Sequence, residues 1–179
     1  MNDHFDTILP PELVEAARRV VEANRALGRT VAVAESCTGG LVSAALTEIP
    51  GSSEVLGAGF ITYSNEAKVA TLGVSMEMIE TFGAVSIAVG WAMARGALAR
   101  SDADIAVAIT GVAGPGGGTE KKPVGTVVFG CAQRGADPED IVADKRHFGD
   151  LGRGGIRLQA ALCALELLMP DAAPASEAP

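Results

Sequence analysis

The sequence has few aromatic residues, few histidines and no excess of positive charge. Aromatic side chains make up 4% of its 179 residues, only two residues are histidine, and the formal net charge is -8. Because binding to a phosphate backbone requires clustered lysine and arginine, this charge argues against a nucleic-acid partner. No apolar run reaches membrane-spanning length, and the N-terminus lacks a signal-peptide pattern. We therefore expect neither a membrane nor a nucleic acid as a partner.

Cysteine is also scarce. The three cysteines, Cys37, Cys131 and Cys163, are odd in number and widely spaced, and no CxxC pair occurs. This usage predicts reduced thiols and a cytoplasmic location. The two histidines, His4 and His147, lie far apart, so the ligand spacing of a zinc site is missing. The sequence therefore predicts neither a metal nor a cofactor.

The sequence does have a large apolar fraction, arranged as alternating helices and strands. Hydrophobic residues are 48% of the chain, whose length suits one domain with a real core. Helical spacing and cap residues predict helices at 10–27, 39–49, 64–72, 75–82, 86–100 and 156–169. Apolar runs bounded by turn residues predict strands at 31–34, 54–63, 104–110, 124–132 and 141–148.

This order of helices and strands predicts an α/β fold: a three-layer α/β/α sandwich on a mixed, mostly parallel central sheet. The last two strands are expected to form a hairpin with its turn at 134–138, and residues 149–155 to form a loop. We expect a single domain at 10–169, a frayed N-terminus at 1–9 and a disordered tail at 170–179.

Three loops follow predicted strands and carry the polar residues that could act on a ligand. They are Glu35–Gly40, Tyr63–Lys68 and Thr110–Lys122. In open α/β sheets the ligand crevice lies outside the carboxyl ends of the strands. If these strands run parallel, all three loops meet on one edge of the sheet, and that convergence predicts a site.

Several known catalytic motifs are missing. The sequence contains no P-loop, no complete Gly-x-Gly-x-x-Gly after a strand and no Gly-x-Ser-x-Gly, and its two histidines make a Ser-His-Asp triad doubtful. What remains is Ser36 on the first loop and Lys68 on the second. They form a Ser–Lys dyad if burial lowers the pKa of the lysine toward neutrality. The alternative is that Ser36 and Thr38 only cap a helix and that Lys68 is a solvated surface residue.

Other residues of these loops have two interpretations each. Tyr63 either aims its hydroxyl into the crevice or ends a strand, and Asn65 is either a helix cap or a ligand contact. Gly114–Gly118 either cradles a phosphate with its N–H groups or is a flexible link. Cys37 is either a small packing residue or a thiol acidified at a helix N-terminus.

Two further features could contact an anionic ligand. Thr110 ends the central strand, so its side chain is well placed to meet a ligand. Arg153 and Arg157 are four residues apart, so one helix face could present both guanidinium groups to a phosphate. Otherwise these arginines are a pair of surface cations.

Taken together, these motifs resemble the CinA C-terminal domain family, whose enzymatic members are nicotinamide-nucleotide amidohydrolases. The resemblance spans about Leu13 to Leu168. The resemblance is to the stand-alone form, so we expect a protein without the large N-terminal domain of full-length CinA proteins. It departs from the family pattern where Gly149-Asp150 is followed by Leu151-Gly152 before the two arginines. The motifs are Ala34-Glu-Ser-Cys-Thr-Gly-Gly40, Tyr63-Ser-Asn-Glu-Ala-Lys68, Leu72-Gly73-Val74, Gly83-Ala-Val-Ser86, the run Thr110–Thr119 and Lys122-Pro-Val-Gly-Thr-Val127.

The resemblance implies hydrolysis of the carboxamide of nicotinamide mononucleotide to nicotinate mononucleotide and ammonia, in pyridine-nucleotide recycling. It implies Ser36 as nucleophile, Lys68 as its base, and Tyr63 as a residue that orients the lysine or stabilises the intermediate. Backbone N–H groups from Cys37 to Gly40 would face the oxyanion. The implied substrate-binding residues are Cys37, Thr38, Gly39, Gly40, Asn65, Thr110, Gly111, Gly114, Gly116, Arg153 and Arg157.

Three alternatives remain open at this point. The domain could be a non-enzymatic module that senses a nucleotide or binds a partner, or it could hydrolyse a different amide or ester with the same dyad. In a minor variant, Cys37 is the nucleophile. The alanine-rich helix Ser86–Arg100 and the habit of the family predict a homodimer or a higher homo-oligomer.

Overall fold

Six α-helices and five strands form the part of the chain that the computed structural model describes, which is residues 7–137 and 142–170. A short 3-10 helix, Ser52–Glu54, precedes the second strand. The strands are β1 Val31–Glu35, β2 Leu56–Ile61, β3 Ile105–Gly111, β4 Thr126–Gln133 and β5 Val142–His147. The α-helices are α1 Pro11–Ala26, α2 Leu41–Thr47, α3 Asn65–Leu72, α4 Met76–Phe82, α5 Ile87–Ala99 and α6 Gly152–Leu167.

The strands form one mixed sheet in the order β2-β1-β3-β4-β5. Strand β1 pairs in parallel with both β2 and β3, whereas β4 is antiparallel to β3 and β5. Helices α1, α2 and α6 pack on one face, and α3, α4 and α5 pack on the other. The predicted three-layer α/β/α sandwich is therefore confirmed, as is its mixed sheet with a mostly parallel core.

The two faces of the sheet differ because valine and isoleucine alternate with alanine along the central strands. Val31 and Val33 of β1 belong to the core under α1, α2 and α6, while Ala32 and Ala34 face α5. Strand β3 repeats the pattern with Ile105, Val107 and Ile109 against Ala106 and Ala108. Because successive side chains of a strand point to opposite faces, one face of the sheet carries the larger valine and isoleucine side chains, and the other, called the smooth face here, carries alanine. The smooth face lets α5 approach the sheet closely.

A cluster of polar groups ties the end of α1 to the end of α6. The Asn24 side chain is fully buried and donates to the carbonyls of Val20, at 2.8 Å, and Leu168, at 3.0 Å. Arg29 donates to the Asn24 side-chain oxygen at 2.6 Å and also to the Leu168 carbonyl at 2.8 Å. The bonds to Leu168 satisfy a carbonyl group that the C-terminus of α6 leaves without a helical partner.

Several predicted boundaries and one predicted cap differ from the structure. Helix α6 begins at Gly152 rather than Ile156, so part of the predicted loop at 149–155 is helical and Arg153 lies in the first helical turn. The predicted strand 54–63 is shorter, because its start belongs to the 3-10 helix and its end to the next loop. The caps of α3, α4 and α5 are Ser64, Ser75 and Ser86, so Asn65 is not the cap of α3.

Some predictions concern residues outside the described ranges. These are the frayed segment at 1–6, the end of the hairpin turn at Pro138, the first residue of the last strand at Ile141 and the tail at 171–179. In the described ranges, no helix is both long enough and apolar enough to cross a membrane. Nor do the described residues bring three or more metal-ligating side chains together.

Candidate active site

Three loops meet at one edge of the sheet because the strands before them run parallel. Residues 36–40 follow β1, residues 62–64 follow β2, and residues 112–125 follow β3. The register pairs Glu35 with Ile61 on one side and with Ile109 on the other, so β1 and β2 end at the same level and β3 continues for two more residues, to Gly111. Side chains from loops distant in sequence are thereby brought together.

The hydroxyl of Ser36 lies beside the amine of Lys68 at this edge. Lys68 Nζ is 3.1 Å from Ser36 Oγ, 3.0 Å from the Thr62 carbonyl oxygen and 3.3 Å from that of Tyr63. Lys68 is 1% exposed and Ser36 is 7% exposed. Lys68 is therefore not the solvated surface lysine of the alternative interpretation. Burial lowers the pKa of Lys68 below its ordinary value, and the nearby Cys37 and Glu66 only partly oppose that effect.

The turn that carries Ser36 is fixed by backbone bonds and by two glycines. Ser36 donates its N–H to the Ile109 carbonyl at 2.9 Å, and Gly39 donates its N–H to the Ser36 carbonyl at 3.0 Å. Gly39 and Gly40 have φ angles of 62° and 95°, which L side chains rarely adopt. The two glycines let the chain reverse within five residues and enter α2, which leaves the serine at the start of the turn.

Beneath this turn lies a buried carboxylate that the sequence-based interpretation missed. Glu35 is fully buried, and its Oε2 accepts the N–H groups of Gly40, at 3.0 Å, and Val42, at 3.1 Å. Its Oε1 accepts the N–H of Ser43 at 2.9 Å and the hydroxyl of Ser43 at 2.8 Å. The available signal was a charged residue that ends an otherwise apolar strand, directly before the turn that leads into a helix.

Hydrogen bonds within the protein already use two of the four N–H groups that were predicted to stabilise an oxyanion. Gly40 donates to Glu35, and Gly39 donates to the Ser36 carbonyl, so neither of these predicted donors is available. Among the hydrogen bonds of the described chain, none runs from the N–H of Cys37 or Thr38 to an acceptor on another residue. The Thr38 hydroxyl is also buried without a partner there. The predicted oxyanion donors are thus narrowed to Cys37 and Thr38.

The structure supports a packing role for Cys37. Its side chain is 5% exposed, and Gly111 lies so close that a Cβ at that position would be 3.1 Å from the sulfur. Burial raises the pKa of the Cys37 thiol to about 11, and the Glu35 carboxylate acts in the same direction. Because burial disfavours the charged thiolate, this direction favours the packing interpretation over the acidified thiol.

Both predicted arginines reach this edge from the first turns of α6. Arg153 donates to the Gly114 carbonyl at 2.7 Å and to the Tyr63 hydroxyl at 3.1 Å. Arg157 donates to the Thr38 carbonyl at 2.9 Å. The hydroxyl of Tyr63 is thus held by Arg153, and Tyr63 contacts Lys68 through its carbonyl group instead. The arginines connect the three loops to α6.

The remaining predicted substrate-binding residues lie at the same edge in different environments. Thr110 is next to Ser36 in the register of β3 and β1, and its buried hydroxyl donates to the Ala84 carbonyl at 2.9 Å. Asn65 is exposed in the first turn of α3. A Cβ at Gly116 would meet no atom within 4 Å, so this part of the glycine loop borders open space.

The fold and this site define a class of three-layer α/β proteins with a buried serine–lysine pair at the carboxyl edge of the parallel strands. The chain belongs to the CinA C-terminal domain family, whose family model matches residues 14–171. The resemblance carried by the loop motifs is thereby confirmed.

Known relatives agree with this family over most of the chain. The nicotinamide-nucleotide amidohydrolase PncC of Enterobacter agglomerans is 47% identical over 159 residues, which cover 89% of this chain and 94% of that protein. A CinA-like protein of Mycobacterium avium is 63% identical over 102 residues, covering 57% of this chain and 24% of the relative. The crystal structure of the competence/damage inducible protein CihA from Agrobacterium tumefaciens has a TM-score of 0.86 and 48% identity, covering 90% and 96% of the two chains.

The relatives differ in length. The chain spans 24–34% of the length of the first four curated relatives it matches, which are longer proteins. It spans nearly all of the PncC relative and of the solved CihA chain. The same domain therefore occurs both within longer chains and as most of a short one.

Proposed function

We propose that this chain hydrolyses the carboxamide of nicotinamide mononucleotide to nicotinate mononucleotide and ammonia, in pyridine-nucleotide recycling. The observation that carries the proposal is the 3.1 Å separation between the Ser36 hydroxyl and the buried amine of Lys68. The name of the PncC relative, which covers 89% of this chain, supports the choice of substrate.

The first half of the proposed reaction acylates Ser36. Neutral Lys68 takes the hydroxyl proton while Ser36 Oγ attacks the carboxamide carbon, and the carbonyl oxygen becomes an oxyanion near the N–H groups of Cys37 and Thr38. When the carbon–nitrogen bond breaks, the Lys68 ammonium returns its proton to the leaving nitrogen, and ammonia departs. The product is an ester between Ser36 and the nicotinate group.

The second half hydrolyses this ester. A water molecule gives a proton to Lys68 and attacks the ester carbon, and the same two N–H groups stabilise the second oxyanion. The ester bond breaks, Lys68 returns the proton to Ser36 Oγ, and the carboxylic acid product leaves. The sum is amide plus water giving acid plus ammonia, and it needs no group beyond this chain and water.

The environment of Lys68 suits a base. Burial lowers the pKa of its amine, so a larger share of it is neutral at physiological pH than for an ordinary lysine. The carbonyl groups of Thr62 and Tyr63 also hold the amine in place. Because those two acceptors fix the nitrogen, its position beside Ser36 does not depend on a bound substrate.

We assign the phosphate of the substrate to the region between the glycine loop and α6. Arg153 and Arg157 bring two positive charges to this edge of a chain whose net charge is -8. Gly116 borders open space. Asn65, which precedes Lys68 by three residues in the sequence, is exposed. The N-terminus of α2 does not compete for this anion, because Glu35 already occupies its donors.

Ammonia release from nicotinamide mononucleotide tests this function directly. We expect Ser36→Ala and Lys68→Met to lower kcat by about a thousandfold or more, because each removes a member of the dyad. The matched controls are Ser53→Ala and Lys145→Met, which alter exposed side chains of the same types and should leave kcat unchanged. Near-normal turnover by Ser36→Ala would refute the dyad.

Two other outcomes would identify the alternatives. Thermal stabilisation by nicotinamide mononucleotide without ammonia release would replace the enzyme with a nucleotide-sensing or partner-binding module. Ammonia or acid release only from other amides or esters would keep the dyad and change the substrate.

A cytoplasmic location and a homo-oligomer also belong to this proposal. Cys37 and Cys163 form no disulfide within the described part of the chain, which suits a reducing compartment. The alanine-rich α5 uses its small residues against the sheet, with Ala94 and Ala97 buried there, so they do not require a second subunit. Sedimentation of the purified protein tests the homodimer, and a monomer at all concentrations would refute it.

A further inference from the structure

The buried carboxylate of Glu35 has no cationic partner in the described chain. The ion pairs there join other residues, all at the surface, whereas Glu35 is fully buried. A buried charge is costly unless hydrogen bonds compensate it. Four donors converge on Glu35, from Gly40, Val42 and both polar groups of Ser43. Donors saturate both oxygens, which suits an ionised carboxylate.

These bonds join the end of β1 to the first turn of α2. Glu35 itself is fixed by the sheet, because Thr62 donates its N–H to the Glu35 carbonyl at 2.8 Å and Ser36 bonds to Ile109. Helix α2 has no side-chain cap at Gly40, so the Glu35 side chain serves as its cap from five residues upstream. The segment 36–39 is therefore a loop closed at both ends.

This closed loop, which follows β1, contains the nucleophile and the oxyanion donors of the proposed chemistry. It carries the Ser36 hydroxyl and the N–H groups of Cys37 and Thr38, which bond to no other residue of the described chain. Glu35 accepts the N–H groups of Gly40, Val42 and Ser43 at the start of α2. Among the described residues 36–43, the backbone donors left without an acceptor on another residue are therefore those of Cys37 and Thr38.

We propose that Glu35 is a positioning residue for the reaction: its carboxylate fixes the loop so that the Cys37 and Thr38 N–H groups face the oxyanion formed by attack of Ser36. The inference rests on the proposed function for the identity of the substrate, but not for the geometry of the loop. A residue with only a structural role would affect stability and leave the turnover of the folded protein unchanged.

The first test is the isosteric variant Glu35→Gln. A glutamine has one acceptor oxygen, so its NH₂ group must face donors of α2 that now lack an acceptor. We expect kcat to fall by about tenfold to a thousandfold with KM within about threefold, because the lost donors act in the transition state. Ser43→Ala removes one of the four donors and should give a smaller loss. Glu48→Gln, at the other end of α2, is the control that should keep kcat.

The second test measures Ser36 without relying on the substrate. In a reaction with a fluorophosphonate probe, Ser36 Oγ forms a bond to phosphorus, fluoride leaves, and the hydroxyl proton passes to Lys68. We expect the labelling rate of Glu35→Gln to fall by about tenfold or more, because the phosphorus-bound oxygen needs the same donors. Ser36→Ala serves as the blank.

The two readouts separate the possible failures. If the wild type is labelled at Ser36 but releases no ammonia, the proposed function fails, and the labelling rates alone decide the role of Glu35. A folded Glu35→Gln with wild-type labelling and kcat overturns the proposal. If that variant does not fold, Glu35→Asp decides in the same way, since it keeps the charge and withdraws it by one methylene. If neither variant folds, Glu35 is structural and the proposal is overturned.

Discussion

Two ionisable side chains are buried next to Ser36, and the protein accommodates their charges in opposite ways. Glu35 is surrounded by four donors that suit a charged carboxylate. Lys68 has three oxygen acceptors and no carboxylate among its hydrogen-bond partners, and burial lowers its pKa. The Glu35 carboxylate is thus compensated by hydrogen bonds, whereas burial disfavours the charged form of Lys68. The lowered pKa of Lys68 increases the neutral share of the amine beside the hydroxyl that it would deprotonate.

The lowered pKa of Lys68 predicts a pH-dependent stability. In the unfolded chain this lysine binds a proton below about pH 10.4, whereas in the folded chain it does so only below its lowered pKa. Between those two values the unfolded state binds more protons, so wild-type stability rises with pH by up to about 1.4 kcal/mol per pH unit. Lys68→Met lacks this contribution, so its stability relative to the wild type falls as pH rises through that window.

Urea unfolding of both proteins at several pH values from 7 to about 10 measures this difference. Groups other than Lys68 titrate alike in the two proteins and cancel. Lys145→Met removes an exposed lysine and should show a constant difference from the wild type. A constant difference for Lys68→Met as well would mean that Lys68 keeps its ordinary pKa when folded.

The helices and strands show which features local sequence specifies. The alternation of Val31 and Val33 with Ala32 and Ala34 predicted a buried strand, and the structure has one. The start of α6 was not predictable in this way. Its first turns contain glycines, which have poor helix propensity, and no side chain caps it. In this first turn the Arg153 side chain donates a hydrogen bond to the Gly114 carbonyl, 39 residues away in the sequence. The helix therefore begins where its residues have poor helix propensity but make a tertiary contact.

The candidate site also has some features that the sequence predicts and others that it does not. The meeting of Ser36 and Lys68 followed from parallel strands, since loops after such strands share an edge. The role of Glu35 was hidden because its partners are backbone N–H groups, which no residue type reveals. The bond from Arg153 to the Tyr63 hydroxyl was hidden because it joins residues 90 positions apart.

Two glycines in different environments give opposite predictions for substitution by alanine. A Cβ at Gly130 of β4 would collide with the Gly90 carbonyl of α5, whereas a Cβ at Gly154 of α6 would meet no atom within 4 Å. We expect Gly130→Ala to destabilise by about 2 kcal/mol or more, because backbone must move. We expect Gly154→Ala to stabilise by about 0.5–1 kcal/mol, because it raises helix propensity.

Thermal melts and urea titrations of the two variants check this pair. Each variant serves as the control of the other, since the chemical change is the same. A loss of stability for Gly154→Ala would show that α6 does not begin where the structure places it. Wild-type stability for Gly130→Ala would show that α5 lies farther from the sheet.

In the whole molecule, the candidate active site and a stabilising cluster of hydrogen bonds lie at opposite ends of helix α6. The loops of the site lie at the carboxyl edge of β1, β2 and β3, and α6 reaches them with its first turns through Arg153 and Arg157. The last turn of α6 lies at the far end, where the carbonyl of Leu168 accepts from Asn24 and Arg29. Helix α6 thus connects two regions. One is the hydrogen-bonded cluster of Asn24, Arg29 and the Leu168 carbonyl, called the anchor below, and the other is the candidate active site.

This separation predicts that the anchor can be weakened without changing the chemistry. Asn24→Ala leaves the Leu168 carbonyl with fewer donors and removes the acceptor of Arg29, in a region from which water is excluded. We expect a loss of about 2–4 kcal/mol of stability. A chain of this size should then melt lower by about 2–4 °C for each kcal/mol.

The turnover of the folded Asn24→Ala protein should nevertheless stay within about twofold of wild type, because Asn24 contacts no residue of the site. Calorimetry gives the stability, and ammonia release below the melting range, or fluorophosphonate labelling of Ser36, gives the activity. Glu22→Ala, an exposed change on the same helix, should alter neither quantity. A fall in labelling rate as large as that expected for Glu35→Gln would mean that α6 transmits the strain of its far end to the loops, and that anchor and site are one coupled unit.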